Sequence, residues 1–519
     1  MILSQSMLLS FFSCLITRRS AAARSASLSV ILACAPAAVA AQSLVWVHQF
    51  PGPSRGIAVD PDGNSVVANN TVGETTVRKV DPFGNVVWAS LISESGDEVF
   101  IFGVAADGAG RVGVAGRIGN NGADMDVFVR IYDSGGVEQW SDTFGDVSAN
   151  DEARGIAFDG NGDVYVGGQT SGTLTAVGSL GGQDGFLRKY DALGNVQWTQ
   201  QLGTTENDAV FGVALDSAND ALVTGRTSGD LEGALIGDSQ DGFVRKYSPD
   251  GLAVWTQQFG SAGNNTEGIS VVATAGDNVL IGGRVRVNAT EEQQFVMKRD
   301  PSGALQWTAS VSPLPFERDV AVAGDDDGDA YLAGMTFLGD ALGQDIAGGE
   351  VDSDDAYVQK RLAADGALDW SVRLSSQSDD GVPSSFDKSL AIATFGSGSI
   401  YLSGETSASF GGFGSGNGFI ARLASDITAS DIASDISAAP DEAFKSAGHS
   451  GAILNIMADI NQAIAAGDID EATRKLFNLH RRLDGCEDGA PADANDWIVD
   501  CDVQDVIRTL VEALLASLS

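Results

Sequence analysis

Residues 151–198 read DEARGIAFDGNGDVYVGGQTSGTLTAVGSLGGQDGFLRKYDALGNVQW and contain three short β-type runs and a fourth that ends at Trp198. The segment 159–162 (DGNG) follows the first run, and the segment 191–195 (DALGN) precedes the last. Glycine and asparagine tolerate the positive φ angles that tight hairpin turns require. The stretch therefore predicts four antiparallel strands in sequence order.

The same arrangement recurs along the whole middle of the chain. A strand of small residues such as 155–158 (GIAF) follows each tryptophan strand, and a later strand ends at glycine, as in 165–168 (YVGG). Four strands per unit and seven units predict a seven-bladed β-propeller. The tryptophans that mark the units are Trp46, Trp88, Trp140, Trp198, Trp255, Trp307 and Trp370.

The two ends of the repeat array are complementary. The last unit stops at residues 419–423 with no tryptophan strand after it, and the first begins with a tryptophan strand, 44–50, that has no preceding partner. Pairing these two segments would close the ring and remove exposed sheet edges. The predicted fold class is all-β: a seven-bladed propeller of four-stranded antiparallel blades, closed by the N-terminal strand and followed by a small α-helical domain.

The repeat resembles a known family, the SBBP-type β-propeller repeat of secreted bacterial proteins. Residues 155–167 (GIAFDGNGDVYVG), followed by the Asp-Gly-Phe strand that begins at Asp184, carry the resemblance. It covers about residues 43–424 and implies the fold but no particular function. The repeat is also similar, more distantly, to the quinoprotein repeat, whose blades are shorter and usually number eight.

Residues 1–41 are predicted to be a signal peptide. Arginines at positions 18, 19 and 24 precede an apolar run over 28–40, and residues 38–40 (AVA) provide the small side chains that a signal peptidase requires. Both general secretion and twin-arginine export fit this pattern. No later apolar stretch approaches the roughly 20 residues needed to span a bilayer. We therefore expect a mature chain without a transmembrane segment that is secreted, periplasmic or at the cell surface.

The formal net charge of −39 excludes non-specific nucleic-acid binding, because phosphate neutralisation requires clustered lysine and arginine. Such a charge fits either a solubilising surface or calcium binding. The densest carboxylate run is 325–329 (DDDGD), which makes Asp325, Asp327 and Asp329 the candidate calcium ligands. The run lacks the distal glutamate of an EF-hand loop, so an acidic hairpin turn is the alternative. No other cofactor is predicted.

The residue inventory limits the chemistry that the propeller can perform. Of three histidines only His48 lies in the predicted propeller, where we expect it to be structural, and no cysteine lies there. Histidine-based metal sites, histidine-assisted serine nucleophiles and thiolate catalysis are thereby excluded from the propeller. Paired carboxylates, as in glycosidases, remain open.

Strand alternation places the long, variable loops 169–183, 226–240, 335–354 and 405–417 on one face. The residue just before each inner strand should ring the channel mouth on that face. This ring could bind an acidic sugar or a peptide carboxylate. Alternatively, its cations pair with Asp97, Asp151, Glu152, Asp208, Glu317 and Asp387. The ring residues are Arg55, Phe102, Arg154, Phe211, Glu267, Arg318 and Lys388.

The C-terminal part changes its hydrophobic period from two to 3.6 residues. Residues 425–448, rich in Ser, Asp and Ile, are predicted to be a spacer, and 449–519 a module of three helices. Cys486 and Cys501, the only cysteines after the signal peptide, are expected to form a disulfide worth roughly 3 kcal/mol. The module would serve as a stabilising cap or as a docking element.

Together these observations predict a secreted, non-catalytic propeller that binds an extracellular protein or glycan through its long-loop face. Two alternatives remain open at this stage. One is a carboxylate-dependent polysaccharide hydrolase or lyase, and the other is a purely structural component of the cell envelope.

Overall fold

The computed structural model describes residues 42–71, 73–93, 97–120, 123–176, 178–237, 239–288, 291–311, 320–337, 344–345, 354–374, 387–396, 398–406, 418–425, 427–483 and 496–518. The predicted signal peptide, residues 1–41, lies outside this part of the chain. None of the helices described is both long and apolar enough to cross a membrane.

The predicted seven-bladed β-propeller of four-stranded antiparallel blades is confirmed. The first four blades run in chain order. Blade 1 contains β2 (Ser54–Val59), β3 (Ser65–Thr71), β4 (Glu74–Val80) and β5 (Val86–Ile92); blade 2 contains β6 (Glu98–Ala106), β7 (Val112–Asn120), β8 (Ala123–Tyr132) and β9 (Glu138–Phe144); blade 3 contains β10 (Asp151–Phe158), β11 (Val164–Thr170), β12 (Asp184–Tyr190) and β13 (Val196–Leu202); blade 4 contains β14 (Asp208–Leu215), β15 (Ala221–Thr227), β16 (Asp241–Tyr247) and β17 (Ala253–Phe259).

The remaining blades include the closure and one extra strand. Blade 5 contains β18 (Asn265–Thr274), β19 (Asn278–Asn288), β20 (Glu291–Arg299) and β21 (Leu305–Ser310); blade 6 contains β22 (Ala321–Gly324), β23 (Ala330–Phe337), β25 (Asp354–Arg361) and β26 (Leu368–Leu374), with β24 (Gln344–Asp345) added at its outer edge; blade 7 contains β27 (Asp387–Phe395), β28 (Ser399–Thr406), β29 (Gly418–Ala424) and the N-terminal β1 (Ser43–Phe50). A 3₁₀ turn, Ala275–Asp277, connects β18 to β19.

The ring closes between the two ends of the array, as predicted. Strand β1 pairs antiparallel with β29, so that Trp46 lies opposite Arg422 and Phe50 lies opposite Gly418. Because β1 supplies the fourth strand of blade 7, the N-terminal strand completes the last blade.

The predicted small-residue strands are the innermost strands of the blades. Gly155 shows why small residues are needed there. A Cβ atom at Gly155 would lie 2.8 Å from the backbone nitrogen of Val213 in the next blade. Glycine therefore lets neighbouring blades approach at the centre of the ring.

At one end of the channel, which we call the turn end, an aspartate shapes the first-to-second-strand turn of a typical blade. In blade 3 the Asp159 carboxylate accepts hydrogen bonds from the backbone N–H groups of Asn161 and Asp163, at 2.8 and 3.0 Å. Lys189 of the third strand lies 3.0 Å from the Asp163 carboxylate and 3.6 Å from that of Asp159. The recurring Asp and Lys residues are thus explained by turn geometry and local ion pairing.

Each blade junction but one is held by the tryptophan of its outer strand. In blade 3, Trp198 donates its indole N–H to the Pro249 carbonyl in the next blade's third-to-fourth-strand turn. Its ring also covers Gly251, where φ is +80°. Trp370 is the exception: within the part of the chain that the structure describes, its buried indole nitrogen has no hydrogen-bond partner. Blade 7 takes its fourth strand from the N-terminus and has no such turn. The six pairs, at 2.8–3.3 Å, are Trp46–Pro82, Trp88–Ser134, Trp140–Ala192, Trp198–Pro249, Trp255–Pro301 and Trp307–Ala363.

The described C-terminal region forms four α-helices, one more than the three predicted. They are α1 (Ala429–Ala438), α2 (Ala447–Ala465), α3 (Ile469–His480) and α4 (Cys501–Leu518), with a 3₁₀ turn at Asp441–Ala443. Gly467, with φ of +74°, follows α2, and the Asp468 side chain caps α3 by accepting from the Glu471 N–H at 3.2 Å. Cys501 begins α4, whereas Cys486 lies outside the described residues, so their disulfide stays a prediction.

The predicted spacer over residues 425–448 is wrong in its described part, because it forms α1 and the start of α2. Thr428 and Asp431 form a capping box at the start of α1. Ile432 and Ile436, four residues apart, are buried in the same hydrophobic cluster as Trp46 and other residues of blades 1 and 7. Burial of this face stabilises a helix whose Ser and Asp content gives it a low intrinsic propensity.

A buried ion pair joins α1 to β29, the strand that pairs with the N-terminal strand β1. The Arg422 guanidinium lies 2.7 Å from the Asp435 carboxylate and donates to the Pro82 carbonyl at 2.9 Å. Arg422 is 2% exposed and Asp435 is 5% exposed. Burial alone would lower the pKa of Arg422, but the adjacent Asp435 carboxylate raises it instead. The helical region is therefore an integral support of the ring closure.

Candidate ligand-binding site

The inner strands enclose a central channel of about 860 Å³. Five of the seven predicted ring residues line it, at the end opposite the turn end, which we call the loop end. Arg318 lies outside the described residues, and for Lys388 only the backbone position in β27 is described. The five residues that line the channel are Arg55, Phe102, Arg154, Phe211 and Glu267.

A second set of polar residues at the loop end was missed in the sequence. Gln169, Arg226 and Arg284 line the channel from the second strands of blades 3, 4 and 5. The strand register sets Gln169 opposite Glu152 and Arg284 opposite Glu267. Each follows the glycine near the end of its second strand, so a Gly-polar dipeptide at that repeat position was the available signal.

Glu152 organises the blade 2–3 side of the loop end. Its carboxylate accepts from the Arg154 Nε at 2.8 Å and from the Gln169 side-chain amide at 2.5 Å. Arg117 of blade 2 approaches the same carboxylate at 3.3 Å. Arg154 thus has one of the carboxylate partners that the alternative interpretation assigned to the ring cations.

Glu267 has the same role on the blade 4–5 side. Arg284 lies 2.7 Å from its carboxylate, and Arg226 lies 3.3 Å from it. Two arginines therefore share one carboxylate here, as Arg117 and Arg154 share Glu152. Arg284 also contacts Glu292 at 3.2 Å, and Glu292 in turn pairs with Arg286 at 3.0 Å. With these two residues included, each cluster has one more arginine than it has carboxylates.

Aromatic rings orient several of these guanidinium groups. Arg154 lies over the ring of Phe102, 4.5 Å from its centroid, and Arg117 lies 5.6 Å from the same ring. Arg226 lies 5.6 Å from the centroid of Phe211. These cation–π contacts hold the planar guanidinium groups at the rim of the channel without neutralising them.

Arg55 differs from the other loop-end arginines. It lines the channel, is half-buried, and forms no ion pair with any residue that the structure describes. A guanidinium group can bind a carboxylate through two parallel hydrogen bonds. Arg55 is therefore the loop-end cation with the greatest capacity to bind an anion.

Two of the acidic residues predicted as partners for the ring cations have another role. Asp151 and Asp208 are fully buried. The Asp151 carboxylate accepts from the backbone N–H of Asp146 at 2.7 Å, and that of Asp208 from the N–H of Thr204 at 2.6 Å. Burial raises the pKa of Asp151. These carboxylates anchor the loops between blades.

The candidate calcium ligands form a hairpin turn of the type found in other blades. The Asp325 carboxylate accepts from the Asp329 N–H at 2.8 Å, and Lys360 lies 3.5 and 3.2 Å from the carboxylates of Asp325 and Asp329. Asp327 points to solvent as an exposed residue. Within the described ranges, no group of three acidic, histidine or cysteine side chains could hold a metal ion. The geometry favours the acidic hairpin turn.

His48 lies on β1, away from the channel lining. Its ring packs edge-on against that of Trp46, with centroids 5.5 Å apart. Burial lowers the pKa of His48, although the carboxylates of Asp502 and Asp81 partly oppose this shift. This environment is that of a packed structural side chain.

Two solved structures of differently named proteins resemble this chain at low sequence identity. Quinohemoprotein alcohol dehydrogenase from Comamonas testosteroni matches with a TM-score of 0.40 and 13% identity, covering 75% of this chain and 77% of that one. Virginiamycin B lyase from Staphylococcus aureus matches with a TM-score of 0.40 and 11% identity, covering 73% of this chain and 99% of that one.

Sequence comparisons identify the repeat directly. The family model described as "SBBP: Beta-propeller repeat" matches residues 139–174 and 197–232. Regulatory protein FlaEY of Caulobacter vibrioides is 27% identical over 258 residues, which cover 45% of this chain and 26% of that protein. The chain thus matches only about a quarter of that relative's length. The two matched segments are SBBP-type β-propeller repeats, and they lie within the seven-bladed ring.

Proposed function

We propose that this protein is an exported, non-catalytic binding propeller whose loop-end channel mouth binds a carboxylate-bearing protein or glycan. The observation that carries the proposal is Arg55, a half-buried guanidinium group at the channel mouth with no ion pair among the described residues. An incoming carboxylate would satisfy it without displacing an existing partner.

The charge distribution supports an anionic ligand. The whole chain carries a formal charge of −39, which repels anions at long range. The described loop end nevertheless carries six arginines against the three carboxylates of its clusters. A local cationic mouth in an acidic protein selects ligands by short-range contact. These residues are Arg55, Arg117, Arg154, Arg226, Arg284, Arg286, Glu152, Glu267 and Glu292.

The geometry gives less support to a carboxylate-dependent hydrolase. Such an enzyme needs two carboxylates facing the substrate, one of them able to take up a proton. At the described loop end, Glu152 and Glu267 are each paired with two arginines, so neither faces the channel as an unpaired carboxylate. Turnover of an acidic polysaccharide would restore this alternative.

The sequence relative is consistent with a binding role. FlaEY is named as a regulatory protein, and regulation commonly proceeds through binding. Export rests on the leader-like pattern of residues 1–41. Amino-terminal sequencing of protein recovered from the periplasm or medium should find a start at Ala41 or Gln42, whereas an intact leader on cytosolic protein would contradict export.

The test is a calorimetric titration with three probes of similar length: an oligogalacturonate, a polyglutamate peptide and a neutral malto-oligosaccharide. Arg55→Ala is the test variant. Arg474→Ala is the matched control, because it removes the same charge from an exposed position in α3.

We expect at least one acidic probe to bind the wild type and the neutral probe not to bind. Arg55→Ala should weaken binding at least tenfold, which corresponds to about 1.4 kcal/mol. Arg474→Ala should leave the affinity within twofold. Equal affinity in both variants would reject the site, and absence of binding by both acidic probes would reject the ligand class.

A further inference from the structure

The outer edges of the blades are not all alike. In blade 6 the short strand β24, which lies in the loop between β23 and β25, adds a fifth strand to the sheet. It runs parallel to β26, with Gln344 opposite Val372 and Asp345 opposite Arg373. The chain itself thus shows that the outer edge of a blade in this protein accepts an added strand.

At the equivalent edge of blade 3, the described residues form no added strand. Val372 and Arg373 follow Trp370 by two and three residues, as Gln200 and Gln201 follow Trp198. Strand β13 is the last strand of a four-stranded sheet. At this position the blade has a slot of about 270 Å³, which we call the blade 3 slot. It is lined by Thr175, Gly178, Leu180, Thr199, Gln200 and Gln201.

Hydrogen bonds fix the loop that forms the outer wall of the slot. The Gln201 side chain accepts from the Leu174 N–H at 3.0 Å and donates to the Gly172 carbonyl at 3.0 Å. The Asp184 carboxylate accepts from the Leu180 N–H at 2.8 Å. Because both ends of the wall are held, a ligand entering the slot would not have to order the loop.

We propose that the blade 3 slot binds an extended segment of a partner protein, which adds a fifth strand to the free edge of β13. The segment would pair through its backbone opposite Gln200 and Gln201, where β24 pairs in blade 6. This is β-strand addition, in which main-chain hydrogen bonds supply affinity and the groove supplies selectivity.

The lining determines the chemistry of the segment. None of the six lining residues is charged, and Leu180 is the one large apolar side chain among them. A charged side chain placed in this slot would lose hydration, and none of the six lining residues offers it an opposite charge. The segment is therefore uncharged where it enters the slot. Basic residues on either side of it would be attracted by the chain's formal charge of −39.

The probe is a fluorescein-labelled peptide, KKLGQNIAKK, in which residues 342–347 carry asparagine in place of Asp345 and are flanked by lysines. Its affinity for the full chain is measured by fluorescence anisotropy. Two further peptides carry N-methyl groups on alternate backbone amides. One is methylated at the odd-numbered positions and the other at the even-numbered positions. A strand directs alternate N–H groups toward one edge. Only the peptide whose methyl groups point away from β13 should therefore still pair with it.

Thr175→Trp fills the slot and should weaken binding at least tenfold. Thr173→Trp, on the same loop but outside the lining, is the matched control and should leave the affinity within twofold. Only one of the two methylated peptides should bind. The proposal is overturned if the peptide does not bind saturably, if both methylated peptides bind equally, or if Thr175→Trp has no effect.

This surface is independent of the channel mouth. Arg55→Ala should not change peptide affinity, and a loss of affinity in that variant would place the peptide at the mouth and contradict the proposal. Failure of the peptide experiment leaves the proposed function of the mouth unaffected.

Discussion

The two ends of the channel are built from residues of different kinds. At the turn end, side chains that recur from blade to blade are engaged in structural contacts, such as Lys189 with Asp159 and Asp163, and Trp198 with Pro249. At the loop end, the residues at equivalent positions differ from blade to blade. Arg55 of blade 1 corresponds to Phe102 of blade 2 and to Ile269 of blade 5, at the point where the strand register shifts.

This difference indicates that the turn end stabilises the ring, whereas the loop end is suited to ligand recognition. A repeated residue reflects a requirement that every blade shares, such as turn geometry or blade packing. Variation at fixed positions on a rigid scaffold is what a binding surface requires. Substitutions at the turn end should therefore alter stability without altering ligand affinity, and substitutions at the loop end should do the reverse.

The largest effect on stability is expected at the ion pair between β29 and α1. Asp435→Ala would leave the buried guanidinium of Arg422 without its carboxylate. Removing one partner of a buried ion pair typically costs about 3–5 kcal/mol. Urea unfolding should show this loss, with Asp441→Ala, an exposed aspartate in the same region, as the control. A loss below about 1 kcal/mol would contradict the assigned role of the ion pair.

A smaller effect should distinguish the regular junctions from the closing one. Trp198→Phe removes the indole donor to the Pro249 carbonyl, whereas Trp370→Phe removes a nitrogen that has no partner in the described structure. Both substitutions reduce the packed ring area. Trp198→Phe should therefore destabilise by about 1 kcal/mol more than Trp370→Phe. Equal urea midpoints for the two variants would show that the hydrogen bond contributes little.

The effect of pH on folding stability through His48, on the N-terminal strand β1, should be smaller still. Burial lowers the pKa of His48 in the folded protein, so the unfolded chain takes up the proton first. Folding stability should fall as the pH drops below about 6.5, the unperturbed value, and stop changing once it is below the folded pKa. The wild type should lose more stability than His48→Gln between pH 7.5 and 5.5. An equal loss in both proteins would exclude a contribution from His48.

The smallest change in stability is expected at the mouth. Arg55 has no ion pair with the described residues, so Arg55→Ala should shift the unfolding free energy by no more than about 0.5 kcal/mol. The same urea titrations measure this. A larger loss would indicate that Arg55 stabilises the ring. It would contradict the assignment of stability to the turn end and of ligand binding to the loop end.

The ring was predictable because its determinants are local and repeated. Most turns carry an aspartate and a glycine, as at Asp159 and Gly162, and each blade has its own tryptophan. The unpaired segments at the two ends of the array then fixed the closure between β1 and β29. These signals do not depend on contacts between distant residues.

The parts that were missed depend on such contacts. Helix α1 lies in a Ser- and Asp-rich segment, and its stability comes from Ile432 and Ile436 packing in one cluster with residues of blades 1 and 7. The spacing of these isoleucines and the Thr428–Asp431 capping box were visible in the sequence but were outweighed by composition. The inward position of Arg284 required the strand register that sets it opposite Glu267.

The most direct test of the separation between the two ends is hydrogen exchange of the wild-type protein with and without the acidic probe that binds more tightly. Protection should appear at the loop-end starts of the inner strands, around residues 54–56, 101–103 and 153–155. It should be absent from the turn-end hairpins, such as 159–163. Protection confined to the hairpins, or spread equally over both ends, would contradict the account.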